Sequence, residues 1–117
     1  MSVPPLDFVL LFVADLDVSF NEFTQKLGFT PIPEQDSPGF RYLKGGEGGI
    51  DFGLSQATEQ TAPAGAIELY FKTADLGSLR AALTAKGVTA TPIEQRPFAS
   101  IFTVRTAENV PFTMMMD

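Results

Sequence analysis

A duplicated pattern constrains this chain more than any other feature. Phe8 to Gly28 reads FVLLFVADLDVSFNEFTQKLG, and Glu68 to Gly87 reads ELYFKTADLGSLRAALTAKG. Each copy has an apolar-rich stretch, then Ala-Asp-Leu, then a helical pattern that closes on Thr-x-Lys and glycine. Asp15 corresponds to Asp75, Leu16 to Leu76, Phe23 to Leu83, Thr24 to Thr84 and Gly28 to Gly87; Leu27 has no counterpart. Such a repeat demands a fold built from two similar supersecondary units.

Each unit reads physically. Asp15 and Asp75 suit the N-cap, where a short carboxylate accepts from the unpaired amides of the first helical turn. Leu16, Phe20, Phe23 and Leu27 fall on one helical face, as do Leu76, Leu79 and Leu83. Lys26 and Lys86 sit in the last turns, and Gly28 and Gly87 supply left-handed stops. Strands are expected near 7–14, 29–34, 40–44 and 49–55, and again near 66–73, 88–94, 98–105 and 110–116. Pro31 and Pro33 put the 29–34 strand at an edge. The glycine run at 45–49 lacks a lysine-serine ending and reads as a hairpin turn, not a phosphate cradle. The reading is one domain over 1–117, with repeat one about 6–55, a small, polar linker at 56–65 and repeat two about 66–117.

Composition narrows the function classes. The 117 residues carry a formal charge of −6, which disfavours nucleic-acid backbones. Absent cysteine removes disulfides and thiolate chemistry, and absent histidine removes a histidine-based triad. No apolar run approaches the roughly 20 residues of a membrane helix, and Met1 to Pro5 shows no basic start to a signal segment. A cytoplasmic protein with neither nucleic-acid nor membrane partner is expected.

Two strand-helix-three-strand units in tandem, with Val9-Leu10-Leu11-Phe12-Val13-Ala14-Asp15-Leu16 leading into a helix that closes on Leu27-Gly28-Phe29, resemble the vicinal oxygen chelate family of glyoxalases, ring-cleaving dioxygenases and bleomycin-resistance proteins. The resemblance implies an α+β fold of two βαβββ repeats whose curled mixed sheets form a cleft. It also implies a homodimer in which repeat one of a chain shares a cleft with repeat two of its partner. The alternative is that both repeats pair within one chain.

Metal-dependent relatives place four ligands on four strands. Carried over by position, those slots hold Phe8, Asp51, Glu68 and Thr113. A phenyl ring ligates nothing and a threonine is a poor ligand for a transition metal, so no metal and no cofactor is expected. Two carboxylates and water would suit only a hard cation such as Mg²⁺ or Ca²⁺.

Strand alternation predicts the cleft lining. If Val9, Leu11 and Val13 pack on the helix, then Phe8, Leu10 and Phe12 face the cleft. If Leu69 and Phe71 take the helix side, then Glu68, Tyr70 and Lys72 face the cleft, with Thr113 and Met115 from the last strand. Phe8, Leu10, Phe12, Asp51, Glu68, Tyr70, Thr113 and Met115 are the candidate ligand-binding residues; no catalytic residue is assigned. Carboxylates beside rings suit an organic cation. The leading expectation is a metal-free protein that sequesters a cationic or aromatic compound, as the bleomycin-resistance branch does in antibiotic resistance. The alternative is a glyoxalase-like lyase or isomerase, or a dioxygenase-related enzyme, using an oxygen-ligated metal or acid–base carboxylates. Purified protein is expected to hold less than stoichiometric transition metal, with stability unchanged by chelation; one tightly held zinc, nickel or iron per chain in elemental analysis overturns this.

Overall fold

Residues 3–46 and 48–117 are described in the computed structural model, where contacts group the chain into two compact units. One is Phe8–Ile67; the other is Glu68–Asp117 with the chain up to Asp7. The break falls within a strand rather than in the 56–65 segment. The end of that segment is tied to the first unit instead, because Gly65 N–H donates to the Phe12 carbonyl at 2.8 Å and Phe12 N–H donates to Ala66 at 2.9 Å.

The first repeat runs β1 (Leu6–Val13), α1 (Leu16–Asn21), a π-helical turn (Glu22–Lys26), β2 (Thr30–Pro31), a 3-10 turn (Pro33–Gln35), β3 (Phe40–Lys44) and β4 (Asp51–Gln56). Its strand order is β2-β3-β4-β1, with β1 parallel to β4 and the other pairs antiparallel. The second runs β5 (Ile67–Lys72), α2 (Leu76–Ala85), β6 (Thr89–Ala90), β7 (Glu94–Gln95), β8 (Ser100–Arg105) and β9 (Pro111–Met116). Its order is β5-β9-β8-β6, with β7 also paired to β8 and β5 parallel to β9. The α+β class and the duplicated strand-helix-strands order are as expected.

The differences have local causes. The expected 29–34 strand shrinks to Thr30–Pro31, because Pro31 and Pro33 lack amide donors and the chain turns at Pro33. The expected 88–94 strand splits into β6 and β7, with Pro92 between them. Gln56 belongs to β4 rather than to a linker. Its side chain caps α1, accepting from Leu16 N–H at 3.0 Å and donating to the Ala14 carbonyl at 2.7 Å.

The helices begin and end as their sequences require. Asp15 accepts from Val18 N–H at 3.2 Å and Asp75 from Ser78 N–H at 3.0 Å. The Ser78 amide and hydroxyl together lower the Asp75 carboxyl below its ordinary value. In α2 the Gly87 amide donates to Thr84 and the Val88 amide to Leu83, closing the end around a left-handed glycine at φ 88°. The first helix has one more residue to accommodate, Leu27, and widens its last turn to do so. There the Leu27 amide reaches back five residues to Glu22 at 3.1 Å before Gly28 turns at φ 79°.

Each helix covers one face of its sheet. Leu76, Leu79 and Leu83 bury against Phe102, Val104 and Met114. Val13, Leu43 and Leu54 form the other core, with Leu16, Phe20 and Phe23 of the helix packed on it. Each fully buried leucine contributes about 2 kcal/mol. Arg41, on the Leu43 face of β3, lies 4.5 Å over the Phe20 ring and 3.7 Å from both Asp17 and Asp36. Among the described residues no helix is long and apolar enough to cross a membrane.

A Cβ at Gly28 or Gly87 meets nothing within 4 Å, so alanine there would cost only backbone strain. Gly28→Ala and Gly87→Ala are each expected to lower unfolding free energy by about 1 kcal/mol in denaturant titration. Midpoints equal to the parent's would disprove the left-handed stops.

Candidate functional site

Helix packing on one side of each sheet leaves the opposite side for function. In the first unit the register aligns Phe8 with Asp51, Leu10 with Gly53 and Tyr42, and Phe12 with Ser55 and Phe40. Because Leu11, Val13, Leu43, Phe52 and Leu54 pack toward the helix, alternation places these rows on the other face. Phe8, Leu10 and Phe12 therefore lie on the face away from the helix, and Asp51 joins them beside Phe8.

Sequence reasoning missed Phe40, Tyr42, Gly53 and Ser55 on this face. The Tyr42 hydroxyl donates to Asp51 Oδ2 at 2.7 Å, and its ring stacks on Phe8 with centroids 5.4 Å apart. Phe8 and Phe40 converge over Gly53. A Cβ there would lie 2.5 Å from Phe8 Cζ and 2.5 Å from Phe40 Cε1, so only glycine lets both rings close over the strand. Phe8, Phe40, Tyr42 and Asp51 are all half-buried, so the rings present part of their surface outward. The alternation of Phe40 and Tyr42 with Arg41 and Leu43 was the available signal.

In the second unit the equivalent rows carry different chemistry. Tyr70, Thr113 and Thr103 stand side by side on β5, β9 and β8. Thr113 thus pairs with the counterpart of Leu10, two places beyond the pairing that Asp51 makes with Phe8, so the two expected ligand slots are not equivalent in register. Together with Glu68, Arg96, Phe98 and Ile101 the row lines a cavity of about 290 Å³. The Tyr70 hydroxyl donates to Glu68 Oε1 at 2.9 Å. Burial, then the charge of Glu68 and the hydrogen bond to it, push the Tyr70 phenol well above its ordinary value, against a smaller opposite effect of Arg96. Met115 is buried beside Lys72 and Ile101 in the register. Lys72 itself is exposed and pairs with Asp117 at 2.6 Å.

Arg96 and Phe98, also missed, come from a tight turn in which Arg96 N–H donates to the Ala99 carbonyl at 2.9 Å. No periodicity marks a hairpin tip, so nothing in the sequence singled them out. A more open groove of about 450 Å³ lies at the end of α2 beside Lys86, Thr89, Arg105 and Thr106. Helix-end carbonyls there disfavour anions, and the basic side chains disfavour cations.

The donor set does not fit a transition metal. Phe8 offers a ring, Thr113 a hydroxyl, and Asp51 and Glu68 each have an oxygen engaged by a tyrosine. Among the described residues no three Asp or Glu side chains gather in a metal-binding group.

The chain is similar to known proteins in sequence pattern and in fold. The family model described as Glyoxalase/Bleomycin resistance protein/Dioxygenase superfamily matches residues 6–112. A superfamily member from Vibrio splendidus 12B01 is 22% identical, with a TM-score of 0.72 over 97% of this chain and 100% of its own. Methylmalonyl-CoA epimerase from Mycobacterium tuberculosis is 21% identical, with a TM-score of 0.80 over 97% of this chain and 88% of its own. The Streptomyces coelicolor methylmalonyl-CoA epimerase Q60A variant, in complex with 2-nitronate-propionyl-CoA, is 18% identical, with a TM-score of 0.70 over 99% of each chain. At these identities the structural likeness shows the fold alone. No curated protein matches. With the family model spanning both repeats, the chain belongs to the glyoxalase/bleomycin resistance protein/dioxygenase superfamily.

Proposed function

We propose that this protein binds and sequesters a flat, cationic aromatic compound, without a metal and without transforming it. The observation that carries this reading is the face made by Phe8, Phe40 and Tyr42 around Gly53, with Asp51 at its edge. Half-exposed rings offer stacking area and attract positive charge through their π faces. Asp51 adds a carboxylate that one tyrosine hydroxyl orients, while its other lone pairs remain to accept a hydrogen bond. The acidity of the chain also draws cations toward it. Tyr70, whose phenol burial and Glu68 hold above its ordinary value, is a hydrogen-bond donor at neutral pH and not a base.

Ethidium, a planar cation, and phenanthridine, its uncharged core at neutral pH, test the reading. Asp51→Asn is expected to weaken ethidium about tenfold and to leave phenanthridine nearly unchanged, as measured by fluorescence titration. Added salt should weaken ethidium alone. Equal ethidium affinity in parent and variant would sink the proposal, as would a panel of planar cations that fails to raise the melting temperature.

The chain has only two tyrosines, which makes Tyr70 separable in an alkaline absorbance titration. One phenol is expected to ionise far later than an ordinary one, and Tyr70→Phe should remove that late component. A folded-state value above the unfolded one stabilises the native state below about pH 10, and this contribution is lost as pH rises through the folded value. The parent should therefore lose stability above about pH 10 more steeply than Tyr70→Phe. Identical alkaline melting curves would contradict the burial of this phenol.

A further inference from the structure

The cavity of the second unit combines charges that the aromatic face of the first does not. Glu68 brings a carboxylate and Arg96 a guanidinium to the same space of about 290 Å³. Tyr70, Thr113 and Thr103 contribute three hydroxyls from adjacent register positions. Glu68 commits Oε1 to Tyr70 and has a second oxygen for another donor. Arg96 commits one terminal nitrogen to Glu94 at 2.8 Å, and its fork has further N–H groups to offer. Both charged side chains reach water, so neither is locked in a buried ion pair.

Phe98 is the other unusual group. It is 60% exposed at the tip of a tight turn, yet its ring stands edge-on to Tyr70 with centroids 6.3 Å apart. A large ring in this position gains little from its own burial. It would gain more by covering the apolar part of a molecule seated in the cavity, beside Ile101.

We infer that this cavity binds a zwitterion, an α-amino acid with an apolar side chain. Its ammonium donates to Glu68, its carboxylate accepts from Arg96, and its side chain lies against Phe98 and Ile101. A lone cation meets Arg96 and a lone anion meets Glu68, so only a molecule carrying both signs satisfies both groups. The inference uses residues of the second unit alone and does not depend on the aromatic-cation reading.

The test uses L-phenylalanine, with 2-phenylethylammonium lacking the carboxylate and 3-phenylpropanoate lacking the ammonium. Each is titrated into isotope-labelled full-length protein, and the methyl signals of Ile101, Thr103 and Thr113 report on this cavity. Phenylalanine is expected to shift these methyls with about tenfold higher affinity than either singly charged analogue, since each charged hydrogen bond lost costs about that factor. Glu68→Gln and Arg96→Gln should each remove about tenfold of the phenylalanine affinity while leaving the melting temperature near the parent's. Silent methyls at millimolar phenylalanine would overturn the inference. So would an analogue that binds as tightly, or parent-like affinity in either variant. Ethidium binding that responds to Asp51→Asn while these methyls stay silent would overturn the zwitterion site alone, so the two readings fail separately.

Discussion

The parallel pairing of the first and last strands of each repeat is the constraint on which the rest of this structure depends. β1 lies beside β4 from Phe8–Asp51 to Val13–Gln56, and β5 lies beside β9 from Tyr70–Thr113 to Lys72–Met115. In both repeats the helix follows directly on the first strand and packs against one side of the sheet. Strand periodicity then allots every second side chain to the helix and every other one to the opposite face. A slip of one residue would send Leu11 and Val13 away from the helix and Phe8 into it, so the register decides which groups form the site.

The same scaffold position carries opposite chemistry in the two repeats. Leu10, Gly53 and Tyr42 form one row, and Tyr70, Thr113 and Thr103 form its counterpart. In the first, the missing side chain of Gly53 is replaced by two phenyl rings that close over the backbone. In the second, Thr113 keeps its side chain and, with two further hydroxyls, leaves a polar cavity. Each repeat contains a tyrosine–carboxylate hydrogen bond among its described residues, but the partners occupy different positions: Tyr42 on β3 with Asp51 on β4, and Tyr70 with Glu68, both on β5. The two halves share the frame and differ in the polar contacts built on it.

The helix ends show how tightly the frame is held. An extra residue between Asp15 and Gly28 does not displace the glycine stop; the last turn widens from the ordinary helical spacing to a π turn. The aromatic residues of that stretch still reach the core, because Phe23 remains packed with Phe29 at 5.3 Å between centroids. Packing of Leu16, Phe20 and Phe23 outweighs the poorer hydrogen-bond geometry of one wide turn, whereas Leu27, expected on the same face, is 58% exposed.

Much of this was legible in the sequence. Asp15, Asp75, Gly28 and Gly87 marked the helices because caps and left-handed stops depend on a residue's own chemistry. Period two sorted Phe8–Val13 into two sets, but the stretch is apolar throughout, so only the packing of Leu11 and Val13 with the helix showed which set is buried there. The prolines at 31, 33 and 92 carried the information that two expected strands would be cut short, but propensity alone overestimated those strands. The site was legible only in part. Phe8, Leu10 and Phe12 follow from one strand and Asp51 from the likeness of another to a family pattern, whereas the Tyr42–Asp51 bond, the rings over Gly53 and the arrival of Arg96 and Phe98 beside Glu68 do not. Those contacts join residues on different strands and turns, and their closeness depends on inter-strand register and on the path of a hairpin. The sequence by itself determined the repeated elements and the buried faces of their helices, since caps, stops and apolar period act within a few residues. Only the tertiary structure decided which polar groups meet, because that depends on distances between strands that no local pattern encodes.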